Sequence, residues 1–329
     1  MRFVARAGFA LLLIVAALAV TLVLVTTLSL LRQTRDAESD PPPGGRFVET
    51  SLGPVHVLEW GEADAPPILL LHGTAAWSGL WRETGEALAA EGWRAVAMDM
   101  PPFGFSAHRN GADYARPVQA RRVLDVAATL GRPVLLAHSI GAGPGAEALL
   151  REPGAFSGAV LVAPAVGLGR TDPPPAILGF RPLRLAAASL ATHPALTRIG
   201  LRGFVHRKDA ATEEVADVLR EPLDVRSLTP GVADWLPTLL GAGPDERSRM
   251  PESWAALETP LALIWGREDD VTPLPQGEAI RRLVPGTPLI VLEDVGHIPQ
   301  VEAPEAFREA LFGALAAIGG PDGESAGSR

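Results

Sequence analysis

Cysteine is absent from this 329-residue chain. That removes disulfides, thiolate nucleophiles and Cys-based zinc sites together, and leaves the redox compartment open. No long basic run appears and the net charge is -9, which argues against nucleic acid as a partner. No repeat of fixed period is present. No clustered His/Asp/Glu motif of metal-ligand spacing is found, so neither a metal nor another cofactor is expected.

Charge is also missing from Phe9 to Leu31, a run of 23 residues, mostly Ala, Leu and Val. That length can span a bilayer core with some tilt. A cleaved signal peptide is the rival reading, but its apolar region is shorter and ends in a small-x-small site. Here the run ends Ser29-Leu30-Leu31-Arg32-Gln33. An uncleaved single-pass anchor over residues 1–34 is therefore expected, followed by a charged, Pro/Gly-rich linker over 35–45. Arg2 and Arg6 balance Arg32 and Arg35. The terminal amine tips the positive-inside count toward a domain on the outer, periplasmic or extracellular, face.

What is present is globular: 47% hydrophobic and 20% charged residues. The length suits one large α/β domain with an insertion. Phe47–Ser51 and Val55–Trp60 around Gly53-Pro54 read as a hairpin. Ile68–Leu71, Arg94–Met98, Pro133–Leu136 and Ala159–Val162 are apolar runs of the kind covered on both faces in a parallel sheet. Helical spacing lies between them, at Leu80–Glu91 and Gln119–Leu130. Leu261–Trp265, Leu289–Leu292 and a final helix over Pro304–Ile318 complete a doubly wound, mostly parallel sheet. Between its two halves, residues 166–256 show only short helical segments. About ninety residues is too long for a plain loop, so a helical cap is expected there. The core is then 46–165 with 257–318, and 319–329 a polar tail.

Ala137-His138-Ser139-Ile140-Gly141 sits between a strand and a helix, the setting of a nucleophile elbow. Alone, it reads equally as a capped strand-to-helix turn. The carboxyl ends of other strands carry His72-Gly73-Thr74, Gly266-Arg267-Glu268-Asp269 and Gly296-His297-Ile298-Pro299. Ligands bind at that edge of such sheets. Serine attack needs a base, a group that orients the base, and donors for an oxyanion.

With Asp99-Met100-Pro101-Pro102-Phe103-Gly104-Phe105-Ser106 added, these motifs stand in the order of the α/β-hydrolase superfamily. From about Arg46 to Ile318 the chain resembles the branch with a helical cap between strands six and seven and an eight-stranded sheet. The resemblance implies Ser139 as nucleophile, His297 as general base and then acid, and Asp269 as the orienting carboxylate. It also implies backbone N–H groups of Thr74 and Ile140 as oxyanion donors. Ala137 and Pro102 stand where the family more often has glycine. Glu268 and Asp270 compete with Asp269, which the Gly-x-x-Asp spacing and Pro273 favour.

His72 is expected to support the oxyanion loop, and His138 to point away from the cleft into the sheet. Surface or cap positions are expected for His56, His108, His193 and His206. Asp99 is expected to organise its loop, and Trp235 and Trp254 to lie in the core. Serine at the elbow argues against the dehalogenases and epoxide hydrolases of this fold, which use aspartate there. The expected activity is hydrolysis of a carboxylic ester with an apolar acyl group. Thioesterase, amidase, carbon–carbon bond hydrolase and haloperoxidase chemistry stay open, as does a non-catalytic tethered binding protein.

Overall fold

The computed structural model describes residues 2–106 and 112–319, with side chains omitted for 2–12, 14 and 15. The expected tail over 319–329 lies almost wholly outside the described residues, as does His108.

A long helix, α1 (Arg2–Arg32), precedes the sheet. The strands are β1 (Gly45–Val48), β2 (Val55–Trp60), β3 (Pro67–Leu71), β4 (Arg94–Met98), β5 (Val134–His138), β6 (Gly158–Val162), β7 (Leu261–Gly266) and β8 (Leu289–Leu292). They form one eight-stranded sheet in the order β1-β2-β4-β3-β5-β6-β7-β8. β1 with β2 and β2 with β4 pair antiparallel, and every other pair is parallel. Every residue of β5, β6 and β7 is buried. That follows from helices on both faces, and explains why these strands read as unbroken apolar runs.

Side chains alternate between the two faces. Leu69 and Leu71 of β3 pack with α3 (Arg116–Leu130), α4 (Ala142–Arg151) and Ile280 of α10 (Pro275–Leu283). Ile68 and Leu70 pack with Leu88 of α2 (Arg82–Ala90) and with Phe307 and Leu311 of α12 (Pro304–Ala317).

Between β6 and β7 the chain builds α5 (Arg181–Ala191), α6 (Thr197–Phe204), α7 (Glu213–Arg220), α8 (Leu228–Leu240) and the short α9 (Pro251–Ala255). α5 to α8 lie over the carboxyl edge of the sheet, where Phe103, Tyr114 and Ile140 of the core meet Leu228, Val232 and Trp235.

One expectation about the amino-terminal region changes. Among the described residues no helix is long and apolar enough to cross a membrane. The expected span Phe9–Leu31 lies within α1, whose final turns pack against the cap. Ser29 and Gln33 are buried there, and Arg32 donates to the Thr192 carbonyl at 2.7 Å. The expected linker is also tied down. Arg35 N–H bonds the Asp224 carbonyl, Arg226 N–H bonds the Arg35 carbonyl, and the Arg35 guanidinium lies 4.7 Å from the centre of the Phe105 ring. Hydrogen-bonding groups and a stacking cation hold this polar segment.

Candidate active site

β5 delivers Ser139 at the carboxyl edge of the sheet, with φ of 53° and only 5% exposed. A left-handed serine is strained, and such strain persists only where its surroundings impose it. Here a Cβ at Gly141 would come within 2.2 Å of the His72 carbonyl oxygen, so the tight approach of α4 to the end of β3 requires glycine. Ala137 is accommodated differently from the glycine more usual at its position. A Cβ on Gly145 of α4 would lie 3.2 Å from that of Ala137, so the missing side chain has moved from the elbow to the helix facing it.

Ser139 Oγ lies 2.6 Å from His297 Nε2, and His297 Nδ1 lies 2.8 Å from Asp269 Oδ2. All three residues are buried. Asp269 also accepts from Val271 N–H at 2.9 Å, Thr272 N–H at 2.8 Å and the Thr272 hydroxyl at 2.7 Å. Burial pushes its carboxyl up, but the bonds from His297 and Thr272 outweigh this and hold it below its usual range. An ionised Asp269 accepts only, so His297 carries its proton on Nδ1 and leaves Nε2 free to accept from the serine hydroxyl. Neither Glu268 nor Asp270 forms a hydrogen bond or ion pair with His297 among the described residues.

His72 is buried and supports the adjoining loop. Its Nε2 accepts from Met100 N–H at 2.9 Å, so the proton sits on Nδ1, 2.8 Å from the Gly73 carbonyl. A Cβ on Gly73 would lie 3.2 Å from that of Ser139, which shows how closely this loop faces the elbow. Thr74 lines the cavity above Ser139, and Ile140 the recess beside it.

Two expectations need correction. His138 does not turn away from the site: its Nε2–H donates to the His297 carbonyl at 2.8 Å, and Gln300 Nε2 lies 3.3 Å from its Nδ1. Burial, followed by the neighbouring His297, pushes His138 down to about 3, so it stays neutral. His56 is fully buried, with Nδ1 2.8 Å from Asp99 Oδ2. Asp99 meanwhile holds Ser78 N–H at 2.6 Å and Phe105 N–H at 2.8 Å, and so fixes the loop after β4. Trp254 and Trp235 are both core, and Trp235 also lines the cavity and meets Phe103 edge-on at 5.0 Å. His193 and His206 are both exposed, in the cap.

Glu302 was not singled out by sequence reasoning. It is 4% exposed, on the short helix α11 (Pro299–Glu302). Its Oε2 accepts from Gly296, His206 and Arg207 N–H at 3.0, 2.7 and 3.0 Å, and its Oε1 from Ile298 N–H at 3.1 Å. One carboxylate thus clamps both neighbours of His297 to the end of the cap. The spacing Gly-His-x-Pro-x-x-Glu is the signal that could have found it, since proline opens a turn that brings the acid back over the preceding amides.

The site opens into a cavity of about 460 Å³ between core and cap. Leu196, Leu219, Leu223, Val232, Leu236 and Leu239 supply much of its wall. Phe204 of α6 covers the His297 ring, with centroids 6.1 Å apart.

Residues 66–304 match the family model described as alpha/beta hydrolase fold. The chain belongs to that family and is a hydrolase. It is 32% identical over 284 residues to a Mycobacterium tuberculosis protein named as hydrolase LipZ, covering 83% of this chain and 96% of that one. It is 27% identical over 307 residues to haloalkane dehalogenase 2 of Mycobacterium bovis, covering 84% and 98%. Among solved structures, a bacterial membrane phospholipase A superposes with a TM-score of 0.66 at 23% identity, over 95% of this chain and 97% of that one. At that identity the likeness concerns the fold alone.

Proposed function

We propose that the protein is a serine hydrolase that cleaves carboxylic esters by acyl transfer to Ser139, with an apolar acyl group held under the cap. The observation that carries this reading is the chain of contacts from Ser139 Oγ to His297 Nε2 to Asp269, opening into an apolar cavity. His297 takes the serine proton as Oγ attacks the ester carbonyl, and the oxyanion forms against Thr74 and Ile140 N–H. His297 then gives that proton to the leaving alcohol. A water enters, loses a proton to His297 and attacks the acyl carbon, and His297 returns that proton to Ser139 Oγ as the acid leaves. Asp269 keeps the imidazole in the required tautomer and balances its positive charge in each step.

Serine at the elbow separates this chemistry from the dehalogenation named for one relative. The charge-free run from Phe9 and the uncovered Leu18, Val20 and Val23 support attachment of α1 to a membrane surface without crossing the bilayer. A fluorophosphonate probe tests the nucleophile: wild type is labelled and Ser139→Ala is not. No labelling of wild type, or equal labelling of both, refutes the serine-hydrolase reading. A panel of acyl esters, thioesters and amides of increasing chain length then tests the bond cleaved. A reporter fused after Ile318 tests the topology.

A further inference from the structure

Between Asp172 and Asp209 the chain carries six basic residues and no acidic one, although the protein as a whole stands at -9. That stretch builds α5 and α6, the helices at the outer rim of the cavity. Leu190, Leu196 and Ile199 line the cavity and are also 49%, 39% and 68% exposed, so its apolar wall continues onto the surface. Arg198 and Arg202 sit one turn apart on α6, flanking Ile199 in sequence. Arg198 is engaged by Glu213 and the Ala211 carbonyl. Arg202 is exposed and has no ion-pair partner among the described residues. The last turn of α1 reaches the same rim, where Arg32 meets the carbonyl of Thr192, another residue of the cavity wall.

Single exposed aliphatic side chains are ordinary, but several around the mouth of an apolar cavity mark a binding face. Apolar residues that carry bases and exclude acids suit the headgroup boundary of an anionic bilayer, where the aliphatic groups are buried and the cations meet negative lipid. We propose that the α5–α6 face of the cap docks on an anionic lipid membrane. The acyl chain of a bilayer-borne ester then passes through the mouth at Leu190, Leu196 and Ile199 toward Ser139. The docking half stands on this face alone. The substrate half rests on the ester-hydrolase reading.

The absence of cysteine makes the test direct, because one introduced thiol is labelled uniquely. A Cβ at Gly203, exposed on α6, would meet no atom within 4 Å. The full chain carrying Gly203→Cys, labelled with a nitrobenzoxadiazole fluorophore, is mixed with phosphatidylcholine vesicles with and without phosphatidylglycerol. A blue shift is expected only with phosphatidylglycerol, and none from a label at Arg281→Cys on α10. Adding Arg202→Glu removes one attraction and creates one repulsion, each about fivefold, so the docked-to-free ratio falls roughly twenty-five-fold. A label at 203 that stays water-exposed, or one that responds equally without anionic lipid or with Arg202→Glu, overturns docking. An equal shift with heparin would assign the face to acidic polymers and overturn the lipid proposal.

For the substrate half, Arg202→Glu is expected to slow hydrolysis of a long-chain ester dissolved in phosphatidylglycerol vesicles while keeping the wild-type rate on soluble p-nitrophenyl butyrate. Equal rates on the vesicle-borne ester overturn it. If wild type cleaves neither ester, the ester reading falls, and the fluorescence still decides docking.

Discussion

Replacing Glu302 tests whether the loop that carries His297 is held by a single carboxylate. Its two oxygens are used unequally, three N–H donors on Oε2 and one on Oε1. Glu302→Gln can place its amide oxygen on the three-donor side and keep those bonds in neutral form. Its NH2 group then faces Ile298 N–H, leaving a buried donor unpaired at about 1–3 kcal/mol. Glu302→Ala leaves all four donors without the carboxylate. Water reaching the exposed cap side satisfies some of them, so a loss of about 2–5 kcal/mol is expected, from one or two buried donors left unpaired at about 1–3 kcal/mol each.

Activity should fall further than stability alone explains, because Gly296 and Ile298 bracket His297. A displacement of about 1 Å between reacting groups lowers the rate roughly a hundredfold. The assays are urea unfolding at pH 7 and kcat on a short acyl ester, with the order wild type, Glu302→Gln, Glu302→Ala in both. A Glu302→Ala protein that keeps kcat within twofold and unfolds at the wild-type urea midpoint would refute the clamp.

Other outcomes follow from the same geometry. Asp269→Asn should lower kcat about ten-thousandfold by permitting the wrong histidine tautomer, while Asp270→Asn stays near wild type; steady-state kinetics on one ester ranks the two. His138 has a folded-state pKa of about 3 against a reference of 6.5. The unfolded chain therefore binds the extra proton between those values, so stability is full above pH 6.5 and declines as pH falls toward 3. The contribution is about 1.4 kcal/mol per pH unit, and His138→Gln should flatten that slope when urea unfolding is compared at pH 7 and pH 4.5. Gln33 accepts from Thr229 N–H at 3.0 Å and donates to its hydroxyl at 2.7 Å. Gln33→Ala should thus destabilise the protein by about 1–3 kcal/mol, read from the urea midpoint of the full chain.

The sheet was legible because its strands are buried on both faces, so residues such as Ile68–Leu71 and Ala159–Val162 announce themselves as unbroken apolar runs. The elbow was legible from its small residues, although the reason Ala137 is tolerated lies with Gly145, which no local reading connects to it. Long-range polar contacts were not legible. His56 looks like any strand histidine until Asp99, 43 positions away, is folded against it. His138 was assigned to the wrong side because alternation gives the direction of a side chain but not which loop crosses there. The ties of the linker were not legible because its partners lie near Asp224 and Arg226. In the cap, short helices with mixed faces fix neither the cavity nor the place of Trp235 in its wall.

The seam between α1 and the cap has a consequence for how the chain folds. Ser29 Oγ meets Thr229 Oγ1 at 2.9 Å across 200 positions of sequence, and Gln33 bonds the same threonine. Synthesis runs from the amino end, so the first helix made waits for a partner produced after six of the eight strands. Until then its apolar side chains have no cap to lie against, and closing so large a loop is slow. Capturing α1 early in some other apolar environment would shield this aggregation-prone interval, leaving only its last turns to be claimed by the cap once Thr229 arrives.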